Sequence, residues 1–193
     1  MIMKKLLFAI VFSLIAVFSF SQKLDSTALI LIDIQDFYFP GGAVELHEPE
    51  KAGEQAKQVL KYFRANGGLV VHVAHEVKVG GAIHKLVAPI EGEKVISKTE
   101  VSCFNGTDMN EYLQANNIKN VVLVGMQTHM CLEGATRAAY DLGYSCTVIH
   151  NACATRDLKF GESTVKAADV HASTLATLKS YAKVIALEAF LNP

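Results

Sequence analysis

From Thr27 onward the chain alternates between two patterns: short, nearly unbroken apolar runs, and longer stretches whose apolar positions recur at helical spacing. Runs of the first kind, at 28–32, 69–74, 94–97, 121–124, 145–149 and 183–186, are too short for helices and lack the alternation of a half-exposed strand. They therefore predict strands buried on both faces. Stretches of the second kind predict helices over 50–65, 107–115, 130–142 and 165–182. Gly67, Gly68 and Gly143 stand where helix ends need a residue tolerant of positive φ. Parallel neighbours need right-handed crossovers that lay helices on the sheet. The rhythm therefore implies an α/β domain of three layers, α/β/α, on a mainly parallel sheet of roughly six strands. Ligands in such folds bind outside the carboxyl ends of the strands, which selects Asp33, His75, Lys98 and the segment 125–131 as candidates for chemistry.

The first residues follow neither pattern. Met3-Lys4-Lys5 followed by the apolar run 6–20 has the form of a signal peptide, with small residues Ser19 and Ser21 before Gln22. The run is shorter than the roughly 20 residues of a membrane-crossing helix. The expectation is cleavage after Ser21, a mature domain over 22–193, and export to the periplasm or medium, with an uncleaved anchor as the alternative. With 18 basic and 19 acidic residues and a net charge of −1, the chain has no electrostatic footprint for nucleic acid. A small molecule is the better partner. Export makes disulfides conceivable among Cys103, Cys131, Cys146 and Cys153, but their spacing is irregular. Cys131 is expected to be a free thiol, with the other three left open.

Asp33 directly follows the first apolar run, where dehydration would raise its carboxyl pKa towards a useful range. Lys98 ends the third run, where it could stabilise a carboxylate and favour a thiolate. Cys131 lies at the start of the helix after the fourth run, where free amides could lower a thiol pKa and hold an oxyanion. Each also has an ordinary reading: a turn aspartate, a solvated lysine, a buried structural cysteine. Together they would put an acid/base, a cation and a thiol at the edge of one sheet.

On these residues the chain resembles the isochorismatase-like cysteine hydrolases over most of its length after the leader. Three stretches carry the likeness: 31–42, with Asp33, Gln35 and Pro-Gly-Gly; Lys98 with Phe104-Asn-Gly-Thr107; and 124–131, ending in Cys131 and followed by Thr136-Arg-Ala-Ala139. The resemblance implies an isochorismatase-like, Rossmann-like topology and an Asp33-Lys98-Cys131 triad. It also implies a cis peptide at Met126–Gln127 and an oxyanion hole formed by the backbone amides of Gln127 and Cys131. The family also shares the run 151–157 and His171, read here as structural or interface elements. Where the family commonly has Gln-Asn-Asp, Gln35 is followed by Asp36-Phe37. Some relatives build a metal site from an Asp-x-His pair and a further His. Between 43 and 60 only His47 with Glu45 approaches that pattern, and no metal or other cofactor is expected. His84 is then a pocket or solvated residue.

The implied reaction is cleavage of a small amide or ureido C–N bond through a Cys131 thioester, in a pocket shaped by Tyr38, His75, Phe104 and His129. The rivals are vinyl-ether hydrolysis, with Asp33 as the acid and no role for sulfur, and a binding protein on the same scaffold. The resemblance also implies a homodimer or larger assembly.

Overall fold

The computed structural model describes residues 24–192. The leader and the cleavage point after Ser21 lie outside the described residues. In chain order the elements are β1 (Thr27–Ile32), α1 (Pro49–Ala65), β2 (Leu69–His75), β3 (Lys94–Lys98), α2 (Met109–Ala115), β4 (Asn120–Met126), α3 (Glu133–Asp141), β5 (Ser145–Ala154), β6 (Leu158–Phe160), β7 (Ser163–Val165), α4 (Ala167–Leu178), β8 (Ala182–Ile185) and α5 (Leu187–Leu191). Six strands form one sheet in the order β3-β2-β1-β4-β5-β8. Every pairing in it is parallel. The chain steps outward from β1 through β2 to β3, then returns to the other side of β1. The reversal between β1 and β4 is where a sheet of this kind opens a crevice at its carboxyl edge.

Alternation along β1 explains the three layers. Leu29 and Leu31 pack with Ala52, Ala56, Val59, Leu60 and Phe63 of α1 and with α5. Ala28, Ile30 and Ile32 pack on the other face with Met109 and Leu113 of α2, Ala135 and Ala139 of α3, and Leu175 and Leu178 of α4. In α1 the buried positions follow the three-to-four-residue helical period, Pro49 occupies the first turn and Arg64 the last.

The sheet and the order of the predicted helices match the sequence reading, and the boundaries differ for physical reasons. The helix expected over 130–142 begins with a wide turn, Thr128–Leu132, in which the Leu132 amide bonds to the Gln127 carbonyl five residues back. The helix expected from 107 starts at Met109, because the Thr107 hydroxyl donates to the Cys103 carbonyl and accepts from the Met109 amide. The stretch 165–182 holds three elements: Val165 closes the β6–β7 hairpin, α4 follows, and Ala182 opens β8. Strand β5 runs on to Ala154 with a shifted register, since Leu123 faces Val148 but Gly125 faces Cys153. All four cysteines are free and buried.

Candidate active site

Strand β1 ends at Ile32, and the next residue, Asp33, takes a left-handed backbone conformation, φ 49°. Its amide bonds to the Val73 carbonyl at 3.1 Å, so the carboxylate is anchored over the crevice between β1 and β4. Aspartate tolerates this conformation better than most residues. Lys98 closes β3 in register with His75 on β2, and its ammonium reaches back across the sheet edge towards Asp33. Cys131 comes from the opposite side, in the wide turn after β4. Gly125 permits that approach. A Cβ there would lie 2.0 Å from the Ile32 carbonyl oxygen, and its φ of +130° is open to glycine alone.

The side chains converge on the lysine. Nζ of Lys98 is 2.8 Å from Asp33 Oδ2, 3.0 Å from His75 Nδ1 and from the Glu100 carbonyl, and 3.3 Å from Cys131 Sγ. Four acceptors surround three N–H bonds, and the sulfur is the most distant of them. Donation by Lys98 fixes the His75 proton on Nε2. Asp33 is 0 % exposed, Lys98 2 % and Cys131 5 %. Asp33 Oδ1 has no hydrogen-bond partner among the described residues, so it stands ready to accept a proton.

Burial sets the electrostatics. It raises the Asp33 pKa against the pull of Lys98. Burial also opposes charge on Lys98, but Asp33 and Cys131 outweigh it and hold the ammonium above its ordinary range. The Cys131 thiol is pushed up to about 12, by burial and then by the Asp33 charge, with Lys98 opposing. The sequence reading, in which a helix start and a lysine would lower this pKa, is corrected here: the resting group is a thiol, because a carboxylate shares its dry site. Asp33, His75 and Cys131 have ligand atoms within 4.8 Å of one another. The Lys98 ammonium already stands among them, so a divalent cation there would meet a buried like charge.

The Met126–Gln127 peptide is cis, and side chains on either side of it brace the loop that follows. Gln127 donates through Nε2 to the Tyr38 hydroxyl at 3.4 Å and accepts from Arg156 Nε at 3.2 Å. Thr128 Oγ1 lies 2.9 Å from His171 Nδ1, and His129 Nδ1 lies 2.6 Å from Thr155 Oγ1. Tyr38 and His129 thus adjoin the nucleophile loop, and burial pushes the Tyr38 hydroxyl up to about 12. His75 touches the lysine itself. Phe104 leans on Tyr144, with ring centroids 6.1 Å apart, and on the core layer that contains Cys131. His84 stacks on Phe39 at 3.6 Å, outside the cluster. Glu45 accepts from the Gly41 amide at 3.3 Å, and His47 lines a separate cavity with His150 and His171.

The sequence matched Gln35 to the family pattern but gave it no role, and it is fully buried. Its Nε2 donates to the carbonyls of His75 at 2.9 Å and Gly81 at 2.6 Å, and its Oε1 accepts from the His75 amide at 2.8 Å. It therefore clips β2 and the following loop to the end of β1. A polar residue two positions past Asp33 inside an apolar segment was the available signal. A cavity of about 280 Å³ beside the loop is lined by His47, His150, Thr155 and His171, among others, and by none of Asp33, Lys98 or Cys131. Thr155 and His171, which lie within hydrogen-bond distance of His129 and Thr128, join it to the nucleophile loop.

The family model described as the isochorismatase domain matches residues 27–188. An uncharacterised isochorismatase family protein of Bacillus subtilis, YddQ, is 40 % identical over 179 residues, covering 86 % of this chain and 99 % of that protein. A solved structure from Oleispira antarctica, assigned to the isochorismatase hydrolases, is 42 % identical with a TM-score of 0.85, covering 88 % of this chain and 97 % of that one. A ureidoacrylate amidohydrolase of Rhizobium rhizogenes, RutB, is 29 % identical over 123 residues, 62 % of this chain and 50 % of that protein.

Proposed function

The chain belongs to the isochorismatase family of hydrolases, and on that premise we propose that it cleaves a small amide or ureido C–N bond through a thioester on Cys131. One observation carries this reading: thiol, carboxylate and ammonium meet in a dry pocket, with Lys98 Nζ at 2.8 Å from Asp33 and 3.3 Å from Cys131.

Asp33 takes the Cys131 proton as the sulfur attacks the substrate carbonyl, so a thiol of high pKa never has to exist as a free thiolate. The developing oxyanion is held by the backbone amides of Gln127 and Cys131. Asp33 then gives its proton to the departing nitrogen as the C–N bond breaks. In the second half Asp33 deprotonates water, whose oxygen attacks the thioester. The C–S bond breaks and the sulfur recovers its proton from Asp33. Lys98 stays charged throughout and stabilises whichever neighbour is anionic. Tyr38, His75, Phe104 and His129 would line the substrate's side of this centre. The amidohydrolase among the relatives supports a C–N bond as the target.

The test is incubation with pooled small amides and ureido compounds, followed by mass spectrometry of the Cys131 peptide. An acyl adduct that is absent in Cys131→Ser is expected. Turnover that survives alkylation of Cys131 would overturn the reading and favour vinyl-ether chemistry driven by Asp33 alone. We also propose export. Protein recovered outside the cytoplasm should begin at Gln22, and an intact Met1 there would remove the cleavage claim.

A further inference from the structure

We propose that His75 is a positioning residue: at rest it draws one N–H bond of Lys98 away from Cys131, and it yields that bond when the sulfur becomes anionic. The inference rests on the reading of Cys131 as nucleophile and deepens it, by assigning what keeps the thiol unreactive until a substrate arrives.

His75 ends β2, Lys98 ends β3, and the two are partners across the parallel ladder, which puts their side chains on one face. The histidine backbone is held at both of its polar groups. Its amide donates to Gln35 Oε1 at 2.8 Å, and its carbonyl accepts from Gln35 Nε2 at 2.9 Å. The next amide, that of Glu76, bonds to the Lys98 carbonyl at 2.9 Å. The imidazole therefore stays beside the ammonium, with Nδ1 at 3.0 Å from Nζ.

The ammonium has three N–H bonds to give. Asp33 Oδ2 at 2.8 Å, His75 Nδ1 at 3.0 Å and the Glu100 carbonyl at 3.0 Å are nearer than Cys131 Sγ at 3.3 Å, so the sulfur is the acceptor left over. Once Asp33 carries the thiol proton on Oδ1, which has no hydrogen-bond partner among the described residues, Oδ2 still accepts from Lys98 as a carbonyl oxygen. The Glu100 carbonyl lies two residues along the chain from Lys98 and is fixed by it. His75 is the acceptor that can be released. It is uncharged when it accepts, and it is only half-buried, so water can replace the ammonium at Nδ1. The neighbouring carboxylate, Glu76, is engaged by the Ser97 hydroxyl at 3.0 Å. A thiol sulfur is a weak acceptor, whereas a bond between an ammonium and an anion is charge-assisted. The exchange thus favours the imidazole at rest and the sulfur during reaction.

The experiment follows iodoacetamide labelling of Cys131 in the full-length protein near neutral pH, read by mass spectrometry of the Cys131 peptide. His75→Leu removes the acceptor and frees an N–H bond for the sulfur, so it should label about tenfold faster than the parent. His75→Asn offers Oδ1 in place of Nδ1 and should label at close to the parent's rate. Asparagine is the smaller residue, so a pocket merely opened to the reagent would make His75→Asn the faster of the two. That order would overturn the proposal, as would equal labelling in His75→Leu and the parent. In a Lys98→Met background there is no ammonium to release, and His75→Leu should no longer accelerate labelling. The same gain in that background would also overturn it. Labelling needs neither substrate nor turnover, so the acyl-capture test of Cys131 fails or succeeds separately.

Discussion

At the scale of single residues, the cluster of Asp33, Lys98 and Cys131 makes a prediction about reactivity that runs against simple proximity arguments. A cysteine beside a lysine is commonly expected to be reactive, yet burial and Asp33 hold this thiol at about 12. Iodoacetamide should therefore label Cys131 slowly near neutral pH. Asp33→Asn removes the opposing charge and leaves Lys98, so labelling should rise by roughly tenfold or more at the same pH even as turnover disappears. Lys98→Met should shift labelling the other way. It also strands a carboxylate that is 0 % exposed, at about 3–5 kcal/mol of stability measured by urea unfolding. Slower labelling in Asp33→Asn than in the parent protein would mean that the carboxylate is not what raises the thiol. Asp33 and Lys98 were legible in the sequence because one directly follows and the other ends an apolar run, Cys131 because it opens the helical stretch after the fourth run, and a parallel sheet gathers these ends. The Tyr38-Gln127-Arg156 chain was not, since its contacts join segments 89 and 29 residues apart and no local pattern encodes such a contact.

At the scale of elements, two positions decide whether the strand ends meet. Gly125 lets β4 lie against β1, and its replacement by alanine would put a methyl 2.0 Å from the Ile32 carbonyl at a φ of +130°. Gly125→Ala should cost about 4 kcal/mol or more, or prevent folding, as read by thermal unfolding of the purified protein. A Tm close to the parent's would show that the strands can part there without loss. Gln35 acts between elements: Gln35→Met keeps the volume but orphans the His75 amide and the Gly81 carbonyl. The expected cost is about 2–4 kcal/mol, concentrated in the loop it clips. Amide exchange of Asp36 and Phe37, which bond to the carbonyls of Ala82 and Gly80, should accelerate before that of β1. Uniform acceleration would make Gln35 a general core residue. The sequence pattern exposed the six sheet strands because each is buried on both sides. It blurred helix starts because hydroxyl caps and a wide turn replace regular first turns at Thr107 and Thr128, and it hid the β6–β7 hairpin, whose residues are mostly exposed.

At the scale of the whole molecule, the layers are tied together away from the active site by a cluster that should govern acid stability. Glu93, just before β3, accepts from Arg64 of α1 at 2.7 Å through both oxygens. It also lies 2.8 Å from His72 of β2 and accepts from the Ile90 amide at 3.0 Å. Burial works against the Glu93 charge, but these partners outweigh it and hold the pKa at about 2, against an ordinary 4.5. Burial depresses His72 as well. In both cases the unfolded chain binds protons more readily than the folded one, so stability is lost as pH falls: first as His72 is forced to charge, then between about 4.5 and 2 as Glu93 is protonated. Glu93→Gln should be less stable than the parent near neutral pH by about 3 kcal/mol and should show a flatter decline across the acid window. Urea unfolding at a series of pH values checks this, with parallel curves for the two proteins as the result that would refute it. Because Arg64 also donates to the Ala88 carbonyl, the cluster fixes the long connection from β2 to β3. That connection delivers Lys98 to the sheet edge, so acid should release the site lysine from its register as it unfastens the layers.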